Sequence, residues 1–347
     1  MKAIIYHAWD DIRLEEVPLP ICGPGELLIR VDGCGLCGSD ILKIAQQSPP
    51  PVRLGHEFTG TIVALEQPVA DFTLGQKVVV AHHAPCGTCH YCRHGNYSMC
   101  AAFKASHVDP CGFAEYVRVP AEQVRQTTLL LPDSLNAEEG SFAEPLACCV
   151  RAVQRTPLLD GDSIVIVGLG SIGLLMMQAV RGLATRAGRQ VRVYAIDLLP
   201  ERLRLARELG ADATIEASAD EQTVRQAIAA YTDGRGADAA IITAPGARPF
   251  FTALASVRKG GMLNIFAAHS GLLSFDLETI YQQELAVSST YSSSPADLPL
   301  ALDLLATRQV RVDELISHRL PLERFTEGVA LMRERVALKV YFPISTS

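Results

Sequence analysis

The sequence predicts an α/β fold in two parts, with a doubly wound parallel sheet in the second half of the chain. Three observations predict it. From residue 163 onward strand-like and helix-like segments alternate, a Gly-x-Gly-x-x-Gly turn sits at the first strand-to-helix junction, and the first half instead carries tight clusters of cysteine and histidine. A chain of 347 residues is long for one core, so two domains of ordinary size are expected. Hydrophobic residues at 48% and charged residues at 20% describe a folded, water-soluble protein. The 31 basic and 38 acidic side chains leave a net charge of −7, which repels a phosphate backbone, so no nucleic-acid partner is expected.

Taken in chain order, "MKAIIYHAWDDIRLEE" turns charged after a few apolar residues and lacks a signal-peptide core, so export is not indicated and a cytoplasmic location is expected. The strand-like "ELLIRVDGCG" leads to "GLCGSD" with Cys37, and "LGHEFTG" follows with His56 and Glu57. A thiolate, an imidazole and a carboxylate from separate loops can make an open zinc site, with water or substrate as the remaining ligand.

Next, "CGTCHYCRHGNYSMC" sets Cys86, Cys89, Cys92 and Cys100 at the spacing C-x2-C-x2-C-x7-C. A cytoplasmic chain keeps its 10 cysteines reduced, so clustered thiols point to a metal rather than to disulfides. Tetrahedral zinc takes four thiolates at about 2.3 Å, and C-x2-C turns deliver them without strain. An iron–sulfur cluster uses similar residues, but the long last gap and the absence of a following Cys-Pro weaken that alternative. A zinc closed by four thiolates leaves no position for substrate, which makes this lobe structural and moves the chemistry to Cys37 and His56. His82, His83, His90, His94 and His107 surround the lobe; because four thiolates already saturate a zinc, they are expected to be solvated loop residues.

In the second half, "SIVIVGLG", "VRVYAID", "ADAAIITAP", "GMLNIFA" and "LAVSSTY" read as strands, and "SIGLLMMQAVRGLA", "PERLRLARELG", "EQTVRQAIAAYTDG" and "RPFFTALASVRKGG" as helices between them. The uncharged run from Ser163 to Val180 mimics a membrane span. Its glycines, and its switch from β-branched residues to Leu and Met, read instead as strand, turn and buried helix, so no membrane partner is expected. In "GLGSIG", Gly168 permits the tight turn, Gly170 lets the backbone approach a pyrophosphate and Gly173 packs helix on strand, with Ser171 and Ile172 at the helix start. This is the Rossmann fingerprint. Asp197 ends the next strand, where its carboxylate can accept from ribose hydroxyls, and Arg202 is the first basic side chain after it. An acid there repels a 2′-phosphate, so NAD is expected over NADP.

The motifs "GLCGSD", "GHEFTG", the four-cysteine lobe, "GFAEY", "EPLA", "GLGSIG" and a terminal "KVYF" resemble, in this order and over essentially the whole chain, the zinc-dependent medium-chain dehydrogenases. The resemblance is greatest to the polyol branch with sorbitol, galactitol-phosphate and threonine dehydrogenases. It implies a GroES-like β-barrel catalytic domain at 1–149 and 294–347, with a structural zinc lobe at 86–100, and an NAD-binding Rossmann domain at 150–293. It also implies two zinc ions per chain, one structural and one catalytic, and a homo-oligomer, dimer or tetramer.

At the catalytic zinc the resemblance places Cys37 and His56, with Glu57 as a direct or exchangeable ligand and Glu144 of "FAEPLACC" as the polyol-type carboxylate. Cys148 resembles the second cysteine of Cys-His-Cys alcohol dehydrogenases and stands as the alternative to Glu144. Ser39 is placed to pass the substrate's hydroxyl proton toward the cofactor ribose, its plain reading being a turn serine or helix cap. Asp40 is expected to be structural. Lys339 stands where the family often has a basic residue facing the pyrophosphate. Two departures occur: Leu42 replaces the histidine that takes the proton onward in alcohol dehydrogenases, which leaves water or Lys43 as the exit, and Cys111 replaces the first glycine of "GGFAEY". The implied reaction is hydride transfer between NAD and a secondary alcohol, a polyol or sugar alcohol including phosphorylated ones. A simple secondary-alcohol or threonine-type amino-alcohol dehydrogenase is the alternative, and a non-catalytic NAD- and zinc-binding protein is the reading from another class.

Overall fold

Antiparallel strands β1 (Lys2–Ala8) and β2 (Asp11–Glu16) open the structure, a computed structural model that describes residues 1–344 other than 67–68, 70, 218–219 and 270. The chain divides into two units: Met1–Ala147 with Ser293–Thr307 and Val312–Ser347, and Cys148–Ser292 with Arg308–Arg311.

The main sheet of the first unit has seven strands. These are β3 (Leu27–Gly35), β4 (Glu57–Leu65), β5 (Lys77–Val80), β6 (Tyr116–Val119), β7 (Thr128–Leu130) and the C-terminal strands His318–Arg319 and Val340–Pro343. β3 is its hub. One edge pairs with β4; the other is shared, with β6 along Leu27–Arg30 and Val340–Pro343 along Gly33–Gly35. Apart from Arg30 and Asp32, β3 is buried on both faces, so its polar alternation is weaker than the sequence suggests. Phe113, Phe325 and Phe342 pack with ring centroids 4.8 to 5.4 Å apart and fasten the C-terminal return to the earlier strands.

This pairing positions the site. Gly35, the last residue of β3, lies opposite Glu57, the first of β4, so the loop carrying Cys37 and the His56–Glu57 pair emerge at the same end of one antiparallel ladder. Gly35 has to be small there: a Cβ would stand 2.5 Å from Glu57 Oε2.

The second unit is a six-stranded parallel sheet of β8 (Ser163–Val167), β9 (Arg192–Asp197), β10 (Ala213–Glu216), β11 (Ala237–Ile242), β12 (Val257–Ile265) and β13 (Ala286–Ser289). Their order, β10-β9-β8-β11-β12-β13, is the doubly wound one of dinucleotide-binding folds, with the reversal between β8 and β11. Two sequence expectations are corrected. The short "ATIE" forms β10, a strand the pattern did not indicate. The helix expected to run through "SVRKGG" stops at Ser256, because Val257 pairs with Ala237 and Arg258 Nε donates to Asp238 Oδ1 at 2.6 Å, a tertiary contact that overrides local propensity. The uncharged run resolves into β8, the glycine turn and the helix Ser171–Arg186. Among the described residues no helix is long and apolar enough to cross a membrane.

Candidate active site

Cys37 is the N-cap of the helix Gly38–Ala45. Its Sγ accepts from Ser39 N at 3.4 Å, and its N–H donates to Asp40 Oδ2 at 3.4 Å, a reciprocal capping box. Ser39 is therefore not the cap. It stands in the first turn, with Oγ 3.3 Å from Cys37 Sγ and 3.4 Å from His56 Nε2. The Cys37 sulfur, a His56 nitrogen and a Glu57 carboxylate oxygen lie within 4.8 Å of one another.

Asp40 does more than support the loop. It is fully buried, accepts from Gly55 N at 3.4 Å, and its Oδ1 lies 3.5 Å from His56 Nδ1, so one nitrogen of the ring faces a carboxylate while Nε2 lies 3.4 Å from Ser39 Oγ. Carboxylate–histidine pairs of this kind fix the orientation of metal-binding imidazoles. Burial alone pushes the His56 imidazole down, but Asp40 and the Cys37 sulfur pull it well above its ordinary value.

Glu57 Oε2 accepts from Lys339 Nζ at 2.6 Å, and both side chains are almost completely buried. Lys339 also donates to Leu36 O at 3.3 Å and lies 5.7 Å above the Phe142 ring. Burial works to lower the ammonium, and the charges of Glu57 and Cys37 outweigh it and hold Lys339 raised. The other oxygen, Glu57 Oε1, is buried with no hydrogen-bond partner. An orphaned carboxylate oxygen beside a thiol and an imidazole nitrogen fits a zinc ion, which takes S, N and O donors.

Glu144 is not in that close group. It is buried in the first turn of the helix Ala143–Gln154, and its charge contributes to raising Lys339. Cys148, also outside the group, opens the second unit, and Cys149 is buried and donates to Ile172 O at 3.8 Å. Leu42 is half-buried, and Lys43 Nζ donates to Arg53 O at 3.1 Å. Cys111 preserves its turn through a thiol donated to Gly55 O at 2.6 Å, with burial pushing the thiol up to about 11.

In the lobe, Cys86, Cys89, Cys92 and Cys100 bring their sulfurs within 4.8 Å of one another. Cys89–Cys92 and Cys86–Cys92 are 3.5 and 4.0 Å apart, close to the roughly 3.8 Å edge of a tetrahedron with 2.3 Å zinc–sulfur bonds, and far too long for a disulfide. Backbone N–H groups aim at the sulfurs, from Cys89 to Cys86 and from Cys86 to Cys100, both at 3.4 Å. Donation from Thr88 and Cys89 draws the Cys86 thiol down to about 6. The donor set fits a closed zinc.

The histidines divide. His90 and His94 are exposed, as expected. His82 and His83 are half-buried rather than loosely solvated: their ring centroids lie 3.8 Å apart with the planes tilted by 41°, His82 lies 4.8 Å from the His56 ring, and burial first, then the neighbouring imidazoles, pushes His82 well below its ordinary value. Their burial comes from packing against His56 and Phe103, which no spacing in the sequence announces.

A cavity of about 860 Å³, lined by Phe72, Val124, Leu129 and Leu302 among others, contains none of these ligand residues. Its lining brings no donor set together, so the chemistry belongs to the Cys37 group.

In the second unit, the glycine turn has the form the fingerprint requires. Gly168 adopts φ +98°, a Cβ on Gly173 would stand 1.9 Å from Gly168 O, and a Cβ on Gly170 would meet nothing within 4 Å. That open space lies at the start of the helix Ser171–Arg186, where the N–H groups of Ser171 and Ile172 begin the helix, a cradle suited to a pyrophosphate. Asp197 ends β9, with Oδ2 accepting from Leu169 N at 2.6 Å and Oδ1 from Leu199 N at 2.9 Å. Arg202 stands 3.9 Å from the same carboxylate. Asp197 thus braces the glycine turn, a role the sequence does not disclose.

Known proteins correspond to both units. Residues 23–132 match the alcohol dehydrogenase GroES-like domain, and residues 171–307 match the zinc-binding dehydrogenase family. The D-arabitol-phosphate dehydrogenase of Enterococcus avium is 33% identical over 98% of this chain and 96% of its own. The sorbitol dehydrogenase of Halalkalibacterium halodurans is 31% identical over 98% of both chains. Among solved structures, a zinc-binding dehydrogenase of Sinorhizobium meliloti 1021 bound to NADP is similar with a TM-score of 0.86, at 30% identity over 99% of this chain and 98% of that one. With its GroES-like domain, its parallel dinucleotide-type sheet and its two cysteine-containing donor sets, the chain belongs to the zinc-binding dehydrogenases.

Proposed function

We propose that this protein oxidises a secondary hydroxyl of a polyol or sugar alcohol, phosphorylated ones included, with NAD as hydride acceptor. The observation that carries the reading is the buried set Cys37, His56 and Glu57 with its orphaned carboxylate oxygen. Cys37, His56 and a carboxylate from Glu57 or Glu144 would hold a zinc ion, which would supply the Lewis acidity that makes a substrate hydroxyl acidic. Asp40 orients His56, and Lys339 holds Glu57 in place from the side away from its free oxygen. Ser39 Oγ, between the Cys37 sulfur and His56 Nε2, is the hydroxyl poised to take the substrate's proton. Leu42 cannot carry that proton onward, so it leaves to water or by way of Lys43.

The polyol class is supported by the substrates named for the two curated relatives. NAD is supported by Asp197, whose negative charge disfavours a 2′-phosphate; the Sinorhizobium relative binds NADP, so both cofactors belong in the test. The division into a catalytic part at 1–149 and 294–347 and an NAD-binding part at 150–293, a cytoplasmic location and a homo-oligomeric state complete the reading.

The test follows reduced cofactor by absorbance, with a panel of polyols, sugar phosphates, simple secondary alcohols and 3-hydroxy amino acids. Turnover is expected with a polyol and NAD, at least about tenfold more efficient than with NADP, equivalent to about 1.4 kcal/mol. Turnover confined to simple alcohols or amino alcohols defeats the substrate class, and equal efficiency with both cofactors defeats the role of Asp197.

A further inference from the structure

We infer that Asn264 is a positioning residue for the dinucleotide: it fixes the carboxyl ends of β12 and β13, against which the nicotinamide end of the cofactor is held. The inference rests on the reading that this protein uses a nicotinamide cofactor. It goes beyond that reading by naming the side chain that sets the half of the site without a glycine fingerprint.

The strand order divides the cofactor site. The glycine turn follows β8 and Asp197 ends β9, which assigns the pyrophosphate and the adenosine half to one side of the reversal between β8 and β11. A dinucleotide laid across the carboxyl ends of the strands then extends its nicotinamide over β11, β12 and β13. Few backbone bonds join those three ends. Phe266 N and Ala267 N donate to Ile242 O at 3.1 and 2.9 Å, and Thr290 N donates to Ile265 O at 3.1 Å. β13 is the least supported of the three: among the described residues it pairs only with β12, and none of its own side chains is buried. With so little apolar surface removed from water, hydrophobic packing does not set where β13 ends.

A polar contact does. Asn264, the next-to-last residue of β12, is completely buried. Its Nδ2 donates to Thr156 Oγ1 at 2.9 Å and to Ala152 O at 3.2 Å, and Thr290 Oγ1 stands 3.3 Å from both its Oδ1 and its Nδ2. Thr156 Oγ1 in turn donates to Ala152 O at 2.9 Å, a carbonyl in the last turn of the helix Ala143–Gln154, where helix ends leave such groups open. One amide thus links β12, the buried residue that follows β13 and the end of a helix. Stability alone does not call for an asparagine there. Strands of a covered parallel sheet are ordinarily filled with Val, Ile and Leu, which carry no desolvation cost, whereas a buried amide has to find a partner for each of its polar atoms. What a satisfied polar network adds is a single arrangement of the groups it joins. The arrangement held here is the end of β13 against the end of β12, and so the backbone that the nicotinamide meets.

The test compares wild type with Asn264→Val, which removes the amide and leaves an apolar side chain suited to a strand, and with Thr290→Val, which removes only the hydroxyl beyond β13. Binding of NADH, and of ADP-ribose, which lacks the nicotinamide, is measured by calorimetry without substrate. The Kd for NADH is expected to rise about tenfold in Asn264→Val and by a smaller factor in Thr290→Val, while the Kd for ADP-ribose stays within about twofold of wild type. Zinc content and the melting temperature of the unliganded protein are expected to be no lower than in wild type. Equal weakening of both ligands would make Asn264 a general support of the second unit, and unchanged NADH binding would leave it no part in the site; either result overturns the inference. If Asn264→Val does not fold, Thr290→Val carries the same comparison. A wild type that binds neither ligand overturns the cofactor reading and this inference with it.

Discussion

Lys339 and Glu57 are 282 residues apart in sequence and 2.6 Å apart in the fold, nearly without solvent. Burying two charges carries a large desolvation penalty, so the pair bears less on net stability than on the damage done when one partner is removed. Lys339→Met leaves the Glu57 carboxylate buried without its cation. At matched zinc content it is expected to lose about 3–5 kcal/mol in denaturant unfolding, and adding Glu57→Gln should recover a large part of this. A midpoint unaltered by Lys339→Met would mean that Glu57 takes its compensation elsewhere. Asp40 stands in the same relation to His56, a carboxylate whose importance lies in where it holds a neighbour. Burial works to raise it, and His56 and Lys43 bring it below the ordinary carboxylate range.

Among the elements, the lobe from Cys86 to Cys100 has the least apolar support. Its own buried cluster is Cys92, Cys100 and Phe103, with Cys89 and Tyr97 packed against them. Helices as short as His90–Arg93 and Ala101–Ala105 are not stable by themselves, so the lobe depends on its metal for order. Cys92→Ser is expected to release one zinc per chain, measured by metal analysis. A loss of even about 2 kcal/mol lowers the melting temperature by roughly 4–8 °C for a domain of this size. Wild-type zinc content and melting temperature in Cys92→Ser would remove the lobe as a zinc site. β3 and β4 show the opposite case, two elements made independently of any ligand, whose register alone brings Cys37 to His56 and Glu57.

At the scale of the whole molecule, β13 closes one side of the parallel sheet and is paired only with β12 among the described residues. Its Val287 is 47% exposed, and Leu272, Leu277, Tyr281 and Tyr291 nearby in sequence are more exposed still. An open strand edge with apolar side chains is a hazard that proteins cover, and a second copy of the chain can cover it by extending the sheet. Val287→Lys is expected to shift the assembly toward monomer in sedimentation while circular dichroism stays native. An unshifted oligomer, or a monomeric wild type, would rule this edge out as the interface.

The sequence by itself determined whatever depends on neighbours along the chain. Four thiols within one loop converge whatever surrounds them, a glycine turn between a strand and a helix has few geometries, and the acid at the end of β9 follows from the strand's length. Cys37 was legible for a related reason, since it follows closely on a strand-like run, and His56 and Glu57 were legible as metal-binding residue types in one short motif. Tertiary structure decided the rest. It paired Lys339 with Glu57, placed Asp40 behind His56, ended a helix early at Ser256 to form β12, and set the half-buried His82 ring between those of His56 and His83. Each of these outcomes is set by a partner brought in by sheet pairing or close packing. A charge or an imidazole shows no local sign of the partner it will meet, because the energy that selects that partner arises only once water has been excluded from both.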